Sequence, residues 1–407
     1  MTPPVSIVIV SRDRPAALMR CLTGVAQLDY APFEVIVVAC PEGAEAVASR
    51  PDALQIKLIR YDEANISAAR NLGIGAASGE IVAFVDDDAV PEPLWLRHLV
   101  APFSDDRLAC TGGYVIGRNG ISFQWRARSV DRTGTAHDLD VTGDDAVAPS
   151  PPEGQAIKTE GTNMAVRRSV LAEMGGFDPA FRFYLDETDL NLRLTAEGHL
   201  TALVPLAQVH HGFAESPRRA RDRSPRDLSQ IGASKMVFLR KHCPEKARKQ
   251  AWKAFAQAQR RRLLRFMQRG TLDPADVTRL MRGLRRGAKE GATRAFGDTP
   301  PLPPADQPFL PFPGRPDAPR IHLSGRPWQA SRLRSEAAKA VENGAIVSLF
   351  IFSPTARRHR VRFTPDGVWQ QSGGLFGQSL REGRAIRPWL FSSRVTSEIV
   401  RVQKPRG

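Results

Sequence analysis

Three aspartates, Asp86, Asp87 and Asp88, stand directly after the apolar run Glu80–Val85. Adjacent carboxylates repel one another and raise one another's pKa, so they add nothing to a hydrophobic core. At the carboxyl end of a buried strand they can instead bind a hard divalent cation through their oxygens. Mg²⁺ or Mn²⁺ held there would stabilise a departing diphosphate. The alternatives are a solvated acidic turn and an N-cap cluster for a helix predicted near Glu92–Val100.

The residues before the triplet predict a parallel sheet. Apolar, β-branched runs recur at Val5–Val10, Glu34–Cys40, Ile56–Tyr61 and Glu80–Val85, with helical stretches at 16–28, 42–49 and 66–77 between them. Asn65 is the expected N-cap of the third helix. Strands that alternate with helices indicate an α/β fold with a mostly parallel, doubly wound sheet flanked by helices. Ligands of such sheets bind beyond the carboxyl ends of the strands, where the triplet and the loop Ser11–Pro15 both lie.

Charge is unevenly distributed along the 407 residues. Residues 1–214 carry 18 basic and 28 acidic side chains, whereas residues 215–407 carry 40 and 15. An acidic half and a basic half predict that the basic half meets an anionic partner, although a solvated surface is the alternative. The sequence disfavours nucleic acid as a partner, because no interleaved aromatic pattern or helix-turn-helix signal accompanies the charge. The favoured partner is therefore an anionic membrane surface.

Cysteine usage and hydropathy bear on the compartment. The four cysteines are scattered without metal-ligand spacing: Cys21, Cys40, Cys110 and Cys243. Such usage favours a reducing compartment. No apolar run approaches the ~18 residues of a membrane-spanning helix, and the N-terminus lacks the features of a signal peptide. We therefore expect a cytoplasmic protein, peripheral at the inner face of the membrane if it binds there.

Four regions are predicted from the changes in composition. They are an α/β domain over 1–243, a basic helical extension over 244–298, a proline-rich linker over 299–320 and a small α+β module of unknown role over 321–407. In the extension, basic residues interleave with apolar ones such as Trp252 and Phe255. This pattern predicts an amphipathic helix that either lies on an anionic bilayer or packs its apolar face onto the first domain.

An ordered series of motifs extends over about residues 4–243. These motifs are Ala69-Arg70-Asn71-Leu72-Gly73, Gly79-Glu80 before the triplet, Gly161-Thr162-Asn163, Gly175-Gly176-Phe177-Asp178, Asp186-Glu187-Thr188-Asp189-Leu190 and His210-His211. Together they resemble the family 2 glycosyltransferases of the GT-A fold. The resemblance implies an enzyme that transfers a sugar, with inversion and with a divalent cation (Mg²⁺ or Mn²⁺), from a nucleoside diphosphate sugar. The implied acceptor is a hydroxyl of a glycan or lipid-linked molecule, in surface polysaccharide synthesis.

Two other functions stay open beside this one. A non-catalytic nucleotide- or glycan-binding scaffold is conceivable because Ala39 and Cys40 stand where many relatives end the second strand with two aspartates. One of those aspartates contacts the base in relatives, so its absence leaves the nucleotide undefined. A nucleotidyltransferase is less favoured, since its first loop is usually glycine-rich and Ser11–Pro15 has no glycine.

On the donor side, the resemblance implies that Asp86 contacts the ribose and Asp88 ligates the metal. Arg70 and the loop residues Ser11, Arg12 and Asp13 would bind the nucleotide, and Asp87 is grouped with them without a distinct role. Arg70 could instead be a helix-surface arginine paired with an acid, and Asp13 could be an N-cap.

On the acceptor side, the resemblance places the catalytic base at Glu187, with Asp186 as the second choice. One carboxylate must take the proton of the attacking hydroxyl. Both could otherwise be ordinary first-turn acids of a helix. The acceptor-side residues would be Thr162, Asn163 and Asp189, and Asp189 should pair with Arg193 four residues later. His210 and His211 would complete the coordination of the metal by Asp86 and Asp88, or be structural.

Overall fold

The computed structural model describes residues 2–212, 215–380 and 386–407. It begins with the predicted alternation: β1 (Val5–Ser11), α1 (Pro15–Val25), β2 (Phe33–Ala39), α2 (Pro41–Ala48), β3 (Ile56–Arg60), α3 (Ile66–Ala76) and β4 (Ile81–Phe84). The N-cap prediction is confirmed, because the Asn65 side chain accepts a hydrogen bond from the backbone N–H of Ala68 at 3.2 Å. The first four strands pair in parallel in the order β3-β2-β1-β4.

The sheet then becomes mixed. Its further strands are β5 (Ala89–Pro91), β6 (Leu108–Ile116), β7 (Phe123–Trp125), β11 (Met164–Arg167) and β12 (Leu200–His211). The helices between them are α4 (Trp95–Val100), α5 (Arg168–Glu173) and α6 (Asp186–Ala196). Three short strands form a separate antiparallel sheet: β8 (Arg128–Asp131), β9 (Ala136–Asp138) and β10 (Gln155–Ile157). Strand order continues β4-β11-β6-β12-β5, and β11 is antiparallel to both of its neighbours. Buried apolar clusters cover both faces of the sheet, as the unbroken apolar strands predicted.

Strand β12 is much longer than the sequence predicted. The expected strand covered Thr201–Val204, whereas the observed one has 12 residues. It pairs in parallel with β6, shifts register between Val204 and Gln208, and then pairs antiparallel with β5. This extension brings His211 opposite Ala89, next to the aspartate triplet.

Three helices follow: α7 (Ser229–His242), α8 (Glu245–Gln268) and α9 (Pro274–Thr293). Helices α7 and α9 approach closely because glycines line their contact. A Cβ at Gly287 would lie 1.8 Å from the Ser229 carbonyl oxygen. The apolar side chains of α8, including Trp252 and Phe255, pack into the same cluster as α7 and α9. Of the two arrangements expected for this segment, its apolar face therefore packs within the protein.

The proline-rich stretch and the C-terminal module complete the chain. The stretch runs along the first domain, where Phe312 packs on Phe33 and Leu310 N–H donates to Glu34 Oε2 at 2.9 Å. The module contains β13 (Arg320–Gly325), α10 (Ala330–Glu342), β14 (Ile346–Ser353), β15 (Arg360–Phe363), β16 (Trp369–Gly374) and α11 (Phe391–Arg406). Its sheet has the order β13-β14-β16-β15.

Candidate active site

Asp87 lies at the end of β4 and faces the protein interior. Its carboxylate accepts a hydrogen bond from Ser11 Oγ at 2.7 Å and pairs with Arg14 Nη2 at 2.5 Å. Complete burial raises the pKa of Asp87 to about 7, although Arg14 opposes the shift. Asp87 thus ties the end of β4 to the end of β1. Ser11 was predicted to bind the nucleotide, but its hydroxyl donates its hydrogen bond to this carboxylate.

Asp88 faces the neighbouring strand end. Its Oδ1 lies 3.1 Å from His211 Nε2, and its carbonyl oxygen accepts the N–H of Gly212 at 2.7 Å. Asp86, Asp88 and His211 offer ligand atoms that all lie within 4.8 Å of one another. Two carboxylates and one imidazole suit Mg²⁺ or Mn²⁺, so the residues fit the expected metal.

The triplet precedes β5 and does not cap α4, whose N-cap is Leu94, so the N-cap alternative is wrong.

His210 faces away from this group, and the prediction that it ligates metal is not supported by its position. Its Nε2 lies 2.7 Å from Glu92 Oε1, and its ring centroid lies 5.0 Å from that of Trp369 in the C-terminal module. Adjacent residues of a strand point to opposite faces, so only one of the two histidines can join Asp88.

Two arginines that the sequence analysis did not single out approach the triplet. Arg14 Nη1 lies 3.2 Å from Asp88 Oδ2, and Arg219 Nη2 lies 3.6 Å from the same oxygen. Arg14 is the N-cap residue of α1, with no side-chain cap, so the alternative of Asp13 as an N-cap is wrong. The signal for Arg219 was weak, because basic residues are common throughout the segment after His211.

Arg70 connects the triplet to helix α6. It is buried on α3, pairs closely with Asp186, lies 3.2 Å from Asp86 and donates to the carbonyl of Gly161 at 2.9 Å. Its guanidinium also lies 5.2 Å from the ring centroid of Phe177. The alternative of a surface arginine is therefore wrong. Arg70 thus holds Asp86 and Asp186 at one place.

Asp186 and Glu187 begin α6 after two residues with left-handed backbone, Tyr184 (φ 76°) and Leu185 (φ 67°). Such backbone is unfavourable for large side chains and persists only where the surroundings enforce it. Burial raises the pKa of Asp186 to about 7, against the opposing effect of Arg70. Burial would raise the pKa of Glu187 too, but Lys158, whose Nζ lies 2.9 Å from Oε1, lowers it to about 2.

The remaining residues predicted for the acceptor side differ in position. Thr162 Oγ1 accepts a long hydrogen bond from the N–H of Asp86 at 3.4 Å. Asn163 is fully buried, and its amide contacts Trp95 Nε1 and the carbonyls of Tyr114 and Ala207, each at 2.8–2.9 Å. These contacts place Asn163 in the core beneath the site and not at an acceptor surface.

Asp189 is likewise buried and links α6 to α7. Its pairing with Arg193 at 2.8 Å is confirmed, and it also binds Lys241 at 2.9 Å and His242 at 2.8 Å. Its oxygens are thus engaged by a helix-helix contact. The structure places Asp189 in a supporting position and not at the acceptor surface.

A cavity of about 590 Å³ opens beside the triplet. Its lining includes Asp86, Asp88 and His211, the apolar side chains Val10 and Val38, the loop residues Ser11, Arg12 and Asp13, and a basic group formed by Arg14, Arg218, Arg219 and Arg262. Tyr61 and Glu63 also line it, and the Tyr61 N–H donates to the carbonyl of Ala39 at the end of β2. The volume suits a drug-sized ligand, and the basic group suits an anionic one.

Comparisons with known proteins show the family of the chain. The family model described as glycosyltransferase like family 2 matches residues 3–228, which is more than half of the chain. The chain therefore belongs to the glycosyltransferase family 2-like proteins. Its mixed, parallel-rich sheet flanked by helices is the GT-A-like architecture that the motifs implied.

The relatives are similar over part of their lengths. The O-antigen biosynthesis protein RfbC of Myxococcus xanthus is 29% identical over 238 residues, 55% of this chain and 18% of that protein. The pre-mycofactocin glycosyltransferase of Mycobacterium tuberculosis is 28% identical over 214 residues, 51% of this chain and 42% of that protein. The chain thus spans less than half the length of these curated relatives.

Solved structures also resemble the chain. GalNAc-T7 with UDP, GalNAc and Mn²⁺ has a TM-score of 0.44 and 19% identity, covering 59% of this chain and 48% of that one. A mannosyltransferase from Pyrobaculum calidifontis in complex with GDP-Man and Mn²⁺ has a TM-score of 0.44 and 15% identity, covering 72% and 88%. Separately, among the residues that the structure describes, no helix is long and apolar enough to cross a membrane.

Proposed function

We propose that this chain transfers a sugar, with inversion, from a nucleoside diphosphate sugar to a hydroxyl acceptor, and that Mg²⁺ or Mn²⁺ assists. The observation that carries the proposal is the link between two acidic groups. A cation-binding group lines the cavity, and Arg70 joins it to a pair of carboxylates at the start of α6. Metal-assisted inverting transfer uses both features close together.

On the donor side, Asp86, Asp88 and His211 would hold the cation, which supplies Lewis-acid stabilisation of the leaving diphosphate. Arg14 and Arg219, which now contact Asp88, would turn to the phosphate oxygens and balance their charge. The apolar and aromatic end of the cavity would bind the nucleobase of the donor.

On the acceptor side, Glu187 would accept the proton of the attacking hydroxyl. The acceptor oxygen bonds to the anomeric carbon from the face opposite the diphosphate, and the bond from that carbon to the diphosphate oxygen breaks. Lys158 keeps Glu187 ionised, and Arg70 fixes the neighbouring Asp186. Asp186 is the second choice for the base, since a base must be ionised and burial raises the pKa of Asp186 to about 7, so that it is partly protonated at neutral pH.

The test is turnover by the purified chain with a panel of UDP-, GDP- and dTDP-sugars, with and without Mn²⁺. We expect one donor to be consumed, and we expect Glu187→Gln to lower kcat/KM by at least about a hundredfold, the usual contribution of a general base. Asp88→Asn should lose turnover and raise the Mn²⁺ concentration that is needed.

Matched controls are available on exposed acids. Asp106→Asn and Glu197→Gln make the same chemical changes at side chains that lie in solvent, and both should keep full turnover. Unchanged turnover in Glu187→Gln would refute the assignment of the base. Nucleotide binding by a wild type that consumes no donor in the panel would favour a scaffold.

We propose further that the acceptor is a glycan or lipid-linked molecule and that the chain works at the cytoplasmic face of an anionic membrane. A relative named for O-antigen biosynthesis supports a glycan acceptor. Four buried free thiols suit a reducing compartment. Exposed basic side chains form one stripe of α9, called the basic stripe: Arg279, Arg282, Arg285, Arg286 and Lys289. Such a stripe would attract anionic lipid headgroups.

A further inference from the structure

Helix α11 carries a buried arginine into the first domain. Arg406 Nε donates to Glu92 Oε2 at 2.8 Å, and Arg406 Nη2 donates to Glu92 Oε1 at 2.7 Å. Its guanidinium lies 4.4 Å from the ring centroid of Trp369, and its Nη1 donates to Ser348 Oγ at 2.9 Å. Both members of the pair are almost fully buried. Two parallel hydrogen bonds fix the carboxylate in position as well as in charge.

Glu92 also contacts a residue next to the metal-binding group. His210 Nε2 lies 2.7 Å from Glu92 Oε1, and the His210 ring packs on Trp369 of the module. His210 is followed directly by His211, which contacts Asp88. The contacts of Arg406 therefore reach the end of β12 through one intermediate carboxylate.

Strand β5 and the end of β12 form a short ribbon that carries His211 and directly follows Asp88. Strand β5 has three residues and pairs with the end of β12, with His211 opposite Ala89 and Val209 opposite Pro91. Asp88 immediately precedes the strand, and Glu92 immediately follows it. Because the ribbon is so short, we expect a displacement of Glu92 to shift Asp88 relative to its neighbours.

We propose that Arg406 is a positioning residue, which holds the β5–β12 ribbon so that Asp88 and His211 present their ligand atoms to one divalent cation. The C-terminal module is then part of the metal centre and not an independent domain. The inference rests on the proposed function, because it presupposes a cation at Asp86, Asp88 and His211.

Two polar contacts between the module and the first domain lie away from this ribbon. Gln27 Nε2 donates to the carbonyl of Gly367 at 2.7 Å, and exposed Lys404 pairs with Asp144 at 2.5 Å. Among the described residues, the Arg406–Glu92 pair is the salt bridge that joins the module to a residue adjoining β5. Loss of this pair should therefore affect cation binding more than loss of other contacts.

The experiment measures the affinity of the full chain for Mn²⁺ by electron paramagnetic resonance, with Mn²⁺ alone and with Mn²⁺ plus UDP or GDP. We expect Arg406→Gln to weaken Mn²⁺ binding by about tenfold, the usual effect of losing a residue that orients metal ligands. Arg406→Lys should recover part of the affinity, because it keeps the charge but loses the two parallel bonds.

Three further variants separate positioning from folding. Arg394→Gln removes a buried arginine that pairs with Glu398 inside the module, and Lys404→Gln removes a positive charge from the same helix as Arg406. Both should bind Mn²⁺ like the wild type, even if Arg394→Gln melts earlier. The double variant Glu92→Met with Arg406→Met leaves no lone buried charge, so it should fold. Its affinity for Mn²⁺ should nevertheless be lower than that of the wild type, as in Arg406→Gln.

The outcomes are distinguishable. Wild-type affinity in Arg406→Gln or in the double variant overturns the positioning role and leaves the proposed function intact. Equal weakening by Arg394→Gln also overturns it, because the effect would then follow stability alone. A wild type that binds no Mn²⁺ in any of these conditions refutes the proposed cation site, and the positioning role with it.

Discussion

Asp186 and Glu187 are adjacent residues whose ionisation is set by different partners. Asp186 pairs with Arg70, while Glu187 Oε1 lies 2.9 Å from Lys158 Nζ and also accepts the Thr188 hydroxyl at 2.8 Å. Burial raises the pKa of Asp186 to about 7, whereas Lys158 outweighs burial and lowers the pKa of Glu187 to about 2. Glu187 is therefore the residue of the pair that is fully ionised at neutral pH.

This difference predicts a change in the pH profile of Lys158→Met. In its proposed role Glu187 acts as a carboxylate, so we expect activity to fall as pH drops through its pKa. Without Lys158, burial is no longer outweighed, and the pKa should rise from about 2 to above the ordinary value of ~4.3. The acidic limb of kcat/KM should move upward by at least about two pH units.

The matched control is Lys57→Met. It breaks another buried lysine–glutamate pair, to Glu34 at 2.9 Å, which lies away from α6. Stability should fall in both variants, but the acidic limb should move only without Lys158. A limb that stays in place in Lys158→Met would show that Glu187 does not take the proton.

At the scale of elements, the sequence predicted the strands and helices best where the apolar pattern was continuous. The first four strands agree with their predicted positions to within about two residues, because β-branched runs are buried on both faces. Strand β12 was predicted too short because its pairing with β5 depends on residues more than a hundred positions earlier.

The site was predicted in part for the same reason. The motifs identified the triplet, Arg70 and the start of α6, which the structure brings together. They could not tell His210 from His211, since the choice depends on which face of β12 meets Asp88. Arg14 and Arg219 were missed because their approach to Asp88 is set by loop conformation.

The basic stripe of α9 gives a prediction at this scale. Its five side chains are exposed, and among the described residues only Arg279 has an acidic partner, Asp276 at 2.7 Å. Each basic residue near an anionic bilayer contributes about 1 kcal/mol. Replacing Arg282 and Arg286 by glutamine should therefore weaken binding to vesicles of phosphatidylcholine and phosphatidylglycerol by about thirtyfold.

Vesicle sedimentation checks this prediction, and the loss should shrink as salt is added. The control is Arg332→Gln with Arg362→Gln, which removes the same charge from exposed positions of the C-terminal module. Equal weakening by the control would mean that net charge and not the stripe attracts the vesicles. Stronger binding of the wild type to single-stranded RNA than to vesicles at equal salt would contradict the membrane proposal.

At the scale of the whole molecule, Glu92 couples the first domain to the C-terminal module, which composition alone predicted as a separate unit of unknown role. Burial would raise its pKa, but Arg406 and His210 lower it to about 2. Glu92 and Arg406 are 314 positions apart, so no local pattern could reveal the pair. Stability should therefore depend on pH through this carboxylate.

A group with a lowered folded-state pKa stabilises the protein above its unfolded pKa, ~4.3 for glutamate, and loses that contribution as pH falls through the folded value. With a folded pKa of about 2, Glu92 contributes ~3 kcal/mol at neutral pH, about half of it at pH 3 and little below pH 2. The difference in unfolding free energy between wild type and Glu92→Gln should narrow accordingly from pH 5 to pH 3.

Urea titrations at each pH measure this difference in unfolding free energy. Exposed Glu336→Gln is the control, and its difference from the wild type should stay near zero. A pH-independent difference for Glu92→Gln would mean that the carboxylate is not held ionised by Arg406, and the coupling of module to domain would have to rest on other contacts.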